Sequence, residues 1–348
     1  MRIVSYLKSI KDVQDYYINR DERMLHSATH EDILSGLTTD IYFFTTMDVL
    51  GSLGMKSKEV VAEIFARKPG VFVGIEEVRN ILKNNGVEMW ALEEGTEFQA
   101  KETLVRIKGP YENFAIFESV ILGCLASPSG WATAAREVKE ACGDKTFVVF
   151  GTRHVHPSVA PVMERAARIG GASSVSNILT AKLIGENPTG TLPHASFLVA
   201  GDTLTVAQKY DEVMPESYKR IVLVDTFKDE VEETLRLAKE MGKNLYGIRL
   251  DTPSERGGVT PDLIKEIRAR LDMEGYNWVK IFVSGGLKPE KIKILSEAGA
   301  DAFGVGSYIS GAPAIDMTMD IKEVEGVSIA KRGRIPGIVN NPKLVKML

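Results

Sequence analysis

The second half of the chain alternates short apolar stretches with amphipathic ones, and this alternation constrains the fold more than any other feature. The apolar stretches have the length and composition of strands, and they lie at residues 146–150, 174–178, 221–224, 245–250, 280–283 and 302–305. Helical periodicity occupies the intervals between them, for example over residues 231–241 and 260–271. A strand, a crossover helix and a second strand give parallel pairing. The pattern therefore predicts an α/β protein built on a parallel sheet.

The ends of the predicted strands favour a barrel over an open sheet. Polar residues or glycines follow nearly every strand: Arg153, Asp225, Asp251, Ser284 and Gly306. Enzymes built on an α/β barrel form their active sites at the carboxyl ends of the strands. An open sheet places its ligand only near one switch point. We therefore expect an irregular, TIM-like α/β barrel with its active site at that edge.

The first hundred residues have a different pattern, which predicts a separate α+β domain. Helical periodicity is present over residues 58–66 (KEVVAEIFA) and 76–83, and short strands are predicted at 70–74, 87–91 and 103–107. We expect an N-terminal α+β domain over 1–109, an α/β barrel over 110–325 and a basic C-terminal extension over 326–348. The extension either packs on the N-terminal domain or stays solvated.

The composition excludes several classes of protein. The chain has 348 residues and a formal net charge of −4, with 44% hydrophobic and 26% charged residues. A mildly acidic chain lacks the positive field that attracts nucleic acid or an anionic membrane. The sequence contains neither a signal peptide nor a run of about 18 apolar residues that would span a bilayer. A cytoplasmic enzyme acting on a small molecule is expected.

Two glycine-containing turns follow the last two predicted strands and indicate a phosphate site. They are Ser284-Gly285-Gly286-Leu287-Lys288 and Gly304-Val305-Gly306-Ser307. Glycine has no Cβ, so backbone N–H groups can approach a phosphate closely. Barrels commonly hold phosphate in the loops after their last two strands. Glycine also permits any tight turn, but the two loops together favour phosphate over that simpler explanation.

A cation and an aromatic ring follow the first strand of the barrel. Arg153 is placed to clamp an anion, and Phe150 can stack on a flat ring. Arg153 alone is equally compatible with a structural ion pair. His154 and His156 form an H-x-H pair, which is weak evidence for a metal, and we expect both to serve as hydrogen-bonding side chains.

Candidate catalytic groups follow other strands. His194 sits in the loop Gly190-Thr191-Leu192-Pro193-His194, where an imidazole can act as a nucleophile or carry a proton, although a lone histidine is more often structural. Asp225 and Asp251 end neighbouring strands, with Arg249 beside the second. Such carboxylates can hold ribose hydroxyls or Mg²⁺, or can cap the following helix.

An ordered set of motifs resembles the nicotinate phosphoribosyltransferase family, especially its shorter archaeal and bacterial form. The resemblance runs from about residue 26 to 325 and rests on LTTDIYF (37–43), GTRHVHP (151–157), IGGASSVSN (169–177), AKLIGENPTGTLPHA (181–195), VDTF (224–227), IRLDTPSERGG (248–258), FVSGGLK (282–288) and AFGVGSYI (302–309). It implies an α+β domain, an irregular barrel and a homodimer, or a higher homo-oligomer, with the active site at the subunit interface. It also implies synthesis of nicotinate mononucleotide and pyrophosphate from nicotinate and phosphoribosyl pyrophosphate, within NAD biosynthesis or salvage.

The resemblance also implies roles for individual residues. His194 matches a histidine that is phosphorylated when ATP hydrolysis is coupled, which would make the enzyme an ATP-dependent ligase. Tyr42, from the partner subunit, and Phe150 match the aromatic pair around the pyridine ring. Arg153, Ser176 and Asn177 match residues near the pyridine carboxylate, and Lys182 is a weaker match. Asp225, Arg249 and Asp251 match residues around the ribose, pyrophosphate and Mg²⁺, and the 5′-phosphate cradle is matched by Ser284, Gly285, Gly286, Gly306 and Ser307.

Three alternatives remain open at this point. The decarboxylating quinolinate enzyme shares the architecture but typically has a lysine where His154 follows Arg153, and it needs cations for a second carboxylate. A nicotinamide-preferring enzyme needs a hydrogen-bond acceptor as well as donors. A phosphosugar sensor without catalysis would lack the acids that Asp225 and Asp251 supply. Some short relatives carry a cysteine-bound zinc, but no cysteine follows Cys142, so we expect no structural zinc.

Overall fold

The computed structural model describes residues 7–19 and 23–348. Contacts divide the chain into two compact units, one formed by residues 1–132 and 313–348 and the other by Thr133–Ala312. The predicted boundaries at 109/110 and 325/326 differ from this division. In the structure α5 (Glu118–Cys142) contributes its first part to the first unit and runs through the division at Ala132/Thr133, while the strand Met317–Val324 pairs within the first unit.

The first unit contains a six-stranded antiparallel sheet. Its strands are β1 (Glu59–Ala66), β3 (Glu88–Ala91), β5 (Thr103–Pro110), β12 (Met317–Val324), β13 (Val327–Ser328) and β14 (Val345–Lys346), in the order β13-β12-β1-β5-β3-β14. A separate pair is formed by β2 (Gly70–Val71) and β4 (Glu97–Phe98). The helices are α1 (Ile10–Asp15), α2 (His30–Leu34), α3 (Ile41–Ser52), α4 (Ile75–Leu82) and the first part of α5, which follows two short 3₁₀ helices at Tyr111–Asn113 and Ala115–Phe117.

The helix predicted over residues 58–66 is wrong, because this segment forms the central strand β1. Val60, Ala62, Ile64 and Ala66 belong to the buried core, and Val61 is buried as well. A strand that is buried almost continuously has no period-2 alternation, so its apolar positions fit a helix equally well. Glu63 is buried because Arg106 donates to it from β5. The predicted helix over 76–83 is confirmed as α4.

The C-terminal extension packs on the first unit and is not a solvated tail. Val345 and Lys346 of β14 pair with Ala91 and Trp90 of β3. Further back, the backbone N–H of Val339 donates to the carboxylate of Glu63.

The second unit contains six parallel strands. They are β6 (Thr146–Val149), β7 (Ser174–Val175), β8 (Arg220–Leu223), β9 (Leu245–Leu250), β10 (Lys280–Val283) and β11 (Ala302–Val305), in the order β7-β6-β11-β10-β9-β8. The helices are α6 (Ala160–Gly170), α7 (Ile178–Leu183), α8 (His194–Ala200), α9 (Thr203–Val213), α10 (Glu230–Met241), α11 (Pro261–Met273), α12 (Pro289–Glu297) and α13 (Ser307–Ser310). Short 3₁₀ helices lie at Thr152–His154, Gly242–Asn244 and Ser254–Arg256.

This sheet has the strand order of a barrel that is open on one side. Strands that are consecutive in the sequence pair with each other, except β7 and β8, and the last strand, β11, pairs with the first, β6, as barrel closure requires. Within the described chain, β7 and β8 form the two edges, and the helices α7, α8 and α9 connect them. The predicted irregular barrel is therefore present as a curled parallel sheet, and its open side explains the irregularity.

One helical segment, Ala115–Cys142, is long and apolar enough to cross a membrane by length and composition, contrary to the prediction that no such run exists. Half of its most apolar window is buried in the protein, and its residues Ile121 and Leu125 belong to the core of the first unit. A core helix satisfies the same criterion of length and composition.

Candidate active site

A cavity of about 380 Å³ opens at the carboxyl ends of the parallel strands, where barrels place their active sites. Most of the residues predicted from the sequence line it: Phe150, Arg153, Ser176, His194, Arg249, Asp251, Ser284, Gly285, Gly286, Gly306 and Ser307. The cavity also contacts Thr152, His154, Thr191 and Gly304. The parallel arrangement brings these side chains together although their positions in the sequence span about 150 residues.

Backbone conformation in the loop after β10 and close packing in the loop after β11 both favour glycine. Gly285 and Gly286 have φ angles of +94° and +60°, which only glycine adopts without strain. A Cβ on Gly304 would lie 2.3 Å from the ring of Phe150, and one on Gly306 would lie 2.8 Å from the carbonyl oxygen of Phe150. The ring of Phe150, which lines the cavity, therefore packs directly against the loop after β11. This close packing is the geometry expected where an aromatic ring that stacks on a substrate lies beside a phosphate-binding loop.

Arg249 forms a fixed hydrogen-bonding centre in the cavity. It donates from Nε to Ser284 Oγ at 2.8 Å, from Nη1 to Thr191 Oγ1 at 2.8 Å and from Nη2 to Asp251 Oδ2 at 2.9 Å. Its guanidinium also lies 5.2 Å from the ring centroid of Phe150. Burial lowers the pKa of Arg249 from its ordinary value, and the carboxylates of Asp251 and Asp225 oppose that change.

His194 and Asp225 form a pair at the start of α8. His194 Nε2 lies 3.2 Å from Asp225 Oδ1, and the aspartate side chain is 1% exposed. Burial raises the pKa of Asp225 from its ordinary value, the charge of His194 opposes this, and Asp251 adds a smaller increase. Such a pair orients an imidazole through one ring nitrogen. The pairing was not predicted, because 31 residues separate its members.

The carboxylates fit a Mg²⁺ ion that is bound mainly through its substrate. Asp225 Oδ2 is buried without a hydrogen-bond partner among the described residues, and Asp251 follows the neighbouring strand. The described residues contain no group of three or more histidine, cysteine, aspartate or glutamate side chains that could hold a metal. Mg²⁺ typically uses one or two carboxylates together with water and substrate phosphates, so this sparse set is compatible with it.

His154 and His156 serve as hydrogen-bonding side chains, as the sequence analysis predicted. His154 Nδ1 lies 3.0 Å from Ser310 Oγ, and His156 Nδ1 lies 2.6 Å from Ser158 Oγ. Arg153 donates from Nε to His154 Nε2 over 3.4 Å. Burial, together with the charge of Arg153, lowers the pKa of His154, which favours the neutral ring that this acceptor role requires.

Four predicted residues lie outside the cavity lining. Asn177 caps α7, since its Oδ1 accepts from the backbone N–H of Thr180 at 3.0 Å. Lys182 donates to Asn187 Oδ1 at 2.8 Å. Asp225 lies behind His194. Tyr42 belongs to α3 of the first unit and is 55% exposed, so its role opposite Phe150 stays a prediction that depends on a partner subunit.

Sequence reasoning missed Glu164, a fully buried carboxylate of α6. It accepts hydrogen bonds from the loops after both β6 and β7, through Thr152 and through Ser176 and Asn177. One signal was available: Glu164 lies four residues after Ala160 and three before Ala167, on the buried face of the helix. An acid at a core position requires a set of hydrogen-bond donors.

Comparison with known proteins agrees with this geometry. Residues 40–129 match the family model described as quinolinate phosphoribosyl transferase, N-terminal domain, and residues 131–320 match the corresponding C-terminal domain. The crystal structure of nicotinate-nucleotide pyrophosphorylase from Pyrococcus furiosus is 43% identical, with a TM-score of 0.88, and the match covers 91% of this chain and 82% of that one.

Two of the curated relatives are named for nicotinate as the substrate. Nicotinate phosphoribosyltransferase of Bacillus subtilis is 27% identical over 87% of this chain and 69% of its own length. Nicotinate phosphoribosyltransferase pncB2 of Mycobacterium tuberculosis is 31% identical, and there the match spans 69% of this chain but 52% of the relative. Because the C-terminal domain model alone covers more than half of the chain, and the N-terminal model matches the segment before it, the chain belongs to the quinolinate phosphoribosyltransferase family.

Proposed function

We propose that the protein transfers the phosphoribosyl group of phosphoribosyl pyrophosphate to the ring nitrogen of a pyridine carboxylate, giving nicotinate mononucleotide and pyrophosphate for NAD synthesis. One observation carries the proposal: a single cavity contains the ring of Phe150, the two glycine loops, and Arg249 bonded to the carboxylate of Asp251. Each part matches one part of the two substrates. Family membership supports the same reaction class.

The chemistry needs positioning more than proton transfer. The unprotonated ring nitrogen attacks the anomeric carbon while the bond to pyrophosphate breaks, so no strong base is required. The loops at Gly285 and Gly306 bind the 5′-phosphate, Phe150 stacks on the pyridine ring, and Arg249 faces the charge that develops on the leaving group. Asp225 and Asp251 would hold a Mg²⁺ ion, which would supply further charge neutralisation at the leaving group.

We propose nicotinate as the acceptor, because the cavity offers one guanidinium for a ligand carboxylate. Of the two arginines that line it, Arg249 already donates from each of its three nitrogens, to Ser284, Thr191 and Asp251. Arg153 makes one long contact to His154 and is therefore left to meet the ligand. One bidentate cation suits one carboxylate. The names of the Bacillus subtilis and Mycobacterium tuberculosis relatives agree with this assignment.

Quinolinate is the second candidate, and the comparisons support it better than nicotinate. The family model carries the quinolinate name, and the 43% identical Pyrococcus furiosus structure is titled nicotinate-nucleotide pyrophosphorylase, a name used for the quinolinate enzyme. This reaction gives the same nucleotide and additionally releases CO₂. It requires a second cation, which would have to come from outside the described lining of the cavity.

We further propose that His194 accepts a phosphoryl group from ATP, which would couple ATP hydrolysis to transfer. In support, the buried carboxylate of Asp225 holds one ring nitrogen of His194, while the imidazole side chain is 35% exposed. We also propose a cytoplasmic homodimer in which Tyr42 of one protomer completes the cavity of the other.

The test is product formation from phosphoribosyl pyrophosphate and Mg²⁺ with nicotinate, quinolinate or nicotinamide, each with and without ATP. Nicotinate mononucleotide from nicotinate, at a rate raised by ATP, is the expected result. Product from carboxyl-labelled quinolinate with release of labelled CO₂ would transfer the assignment to the second candidate. Absence of turnover with all three acceptors would refute the enzymatic proposal and favour a phosphosugar sensor.

A further inference from the structure

Glu164 carries an unusual set of contacts for a fully buried acid. Its Oε1 accepts from Thr152 Oγ1 at 2.5 Å and from Ser176 Oγ at 2.8 Å. Its Oε2 accepts from the backbone N–H of Ser176 at 2.8 Å and from that of Asn177 at 2.7 Å. All four donors are neutral, and all four belong to the loops after β6 and β7. Both oxygens of the carboxylate are therefore used to join two loops.

The two loops need this connection because the sheet provides little of it. β7 has two residues and lies at an edge of the sheet, where it pairs with β6 only through Val148–Ser174 and Val149–Val175. The ladder therefore ends immediately before Ser176. Beyond that point, Glu164 supplies the acceptors that an adjacent strand would otherwise supply to the N–H groups.

The joined loops carry the side chains that face the acceptor in the proposed reaction. Thr152 lies between Phe150 and Arg153, and Ser176 lines the same cavity. Helix α6 also packs against β6 and β7. The carboxylate of Glu164 therefore sets the distance between the loop that carries Arg153 and the loop that carries Ser176. The glycine loops after β10 and β11 make none of these four contacts.

We propose that Glu164 is a positioning residue that fixes the loops after β6 and β7 relative to each other, so that Phe150 stacks on the pyridine ring while Arg153 and Ser176 contact its carboxylate. This inference rests on the proposed function. It predicts that a change at Glu164 alters the KM for the acceptor more than the KM for phosphoribosyl pyrophosphate. A group that merely stabilised the fold would change the kinetic constants of both substrates.

Two substitutions separate positioning from stability. Glu164→Gln keeps the size of the side chain: its amide oxygen can accept from the two N–H groups, and its NH₂ can face the two hydroxyls, which rotate to accept. Glu164→Ala removes all four bonds. Glu266→Gln, on the exposed surface of α11, is the matched control. Thr152→Val removes a single bond and serves as a graded variant that keeps the buried carboxylate.

The experiment measures kcat and the KM of each substrate separately, together with hydrogen exchange at the amides of Ser176 and Asn177. For Glu164→Ala we expect the acceptor KM to rise about tenfold or more, since more than one hydrogen bond is lost. The KM for phosphoribosyl pyrophosphate should change less than about threefold on the same scale. Glu164→Gln should restore most of the acceptor affinity, and Thr152→Val should give a smaller increase in the acceptor KM.

Equal changes in both KM values, or a Glu164→Gln variant as impaired as Glu164→Ala, would overturn the proposal. If Glu164→Ala does not fold, Thr152→Val is the test: its KM for the acceptor should rise more than its KM for phosphoribosyl pyrophosphate. If the wild-type protein turns over no acceptor, the proposed function fails separately. Glu164 is then tested by titrating wild type and Glu164→Ala, or Thr152→Val if Glu164→Ala does not fold, with nicotinate and with inorganic pyrophosphate. Equal affinities for nicotinate, together with unchanged exchange at Ser176 and Asn177, would also overturn the proposal.

Discussion

Replacement of Arg249 by methionine tests the active-site geometry most directly. The substitution removes three hydrogen bonds, of which the one to Asp251 joins opposite charges. A bond to a charged partner contributes about 1.5–3 kcal/mol and an ordinary one about 0.5–1.5 kcal/mol. If about 3 kcal/mol of the summed hydrogen-bond energy stabilises the transition state, its loss lowers kcat/KM for phosphoribosyl pyrophosphate by about 100-fold.

Stability should respond much less than activity to the same substitution. Arg249 is largely buried, and its desolvation opposes folding, so methionine removes a cost together with the contacts, and the side chain of Asp251, which is 23% exposed, keeps contact with water. Arg249→Lys retains the charge but not the planar fork, and we expect an intermediate loss of about tenfold. The control is Arg270→Met, at an exposed position of α11.

The assay is steady-state production of nicotinate mononucleotide, accompanied by thermal unfolding of each variant. The reasoning would be refuted if Arg249→Met kept kcat/KM within about threefold of the wild type, a difference of less than about 1 kcal/mol. An equal loss of kcat/KM in Arg270→Met would also contradict a specific role of the Arg249 guanidinium. So would unfolding of Arg249→Met below the assay temperature.

Further predictions concern pH, ATP and the ring of Phe150. Burial raises the pKa of Glu118 to about 7, from an ordinary value near 4.5; its contribution to stability is therefore fully present below about pH 4.5 and is lost as the pH rises through 7. Glu118→Gln should flatten the fall in Tm across that window, and a pH dependence identical to the wild type would contradict the prediction. His194→Ala should lose stimulation by ATP while keeping basal transfer, whereas His156→Ala should keep both; an unchanged ATP response removes His194 from the mechanism. Gly304→Ala should displace the ring of Phe150, because the new Cβ lies 2.3 Å from it, and should raise the acceptor KM by about tenfold; wild-type kinetics would show that the ring does not contact the acceptor.

Local patterns were sufficient to predict the repeated part of the fold and most of the cavity. Each parallel strand is a short apolar run followed by a polar or glycine residue, and parallel pairing brings all of those ends to one edge. This is why Phe150, Arg153, Asp251 and Gly306 could be assigned to one site from their positions alone.

Pairings between distant residues could not be predicted from such patterns. The strand β1 was predicted as a helix because its burial comes from β5 and β12, the latter more than 200 residues away. The bond between His194 and Asp225 and the four bonds to Glu164 likewise depend on which loops the fold makes neighbours. A single glutamate on an amphipathic helix gives no sequence signal of its partners until its position on the buried face is considered.

The open side of the barrel has a consequence for self-association. An unpaired strand edge exposes backbone groups that can recruit a strand from another molecule and so begin aggregation. Here the two edges are poor templates, because β7 has only two residues and all four residues of β8 are buried. The short, covered edges therefore allow the sheet to remain open without presenting a surface on which a fibril could grow.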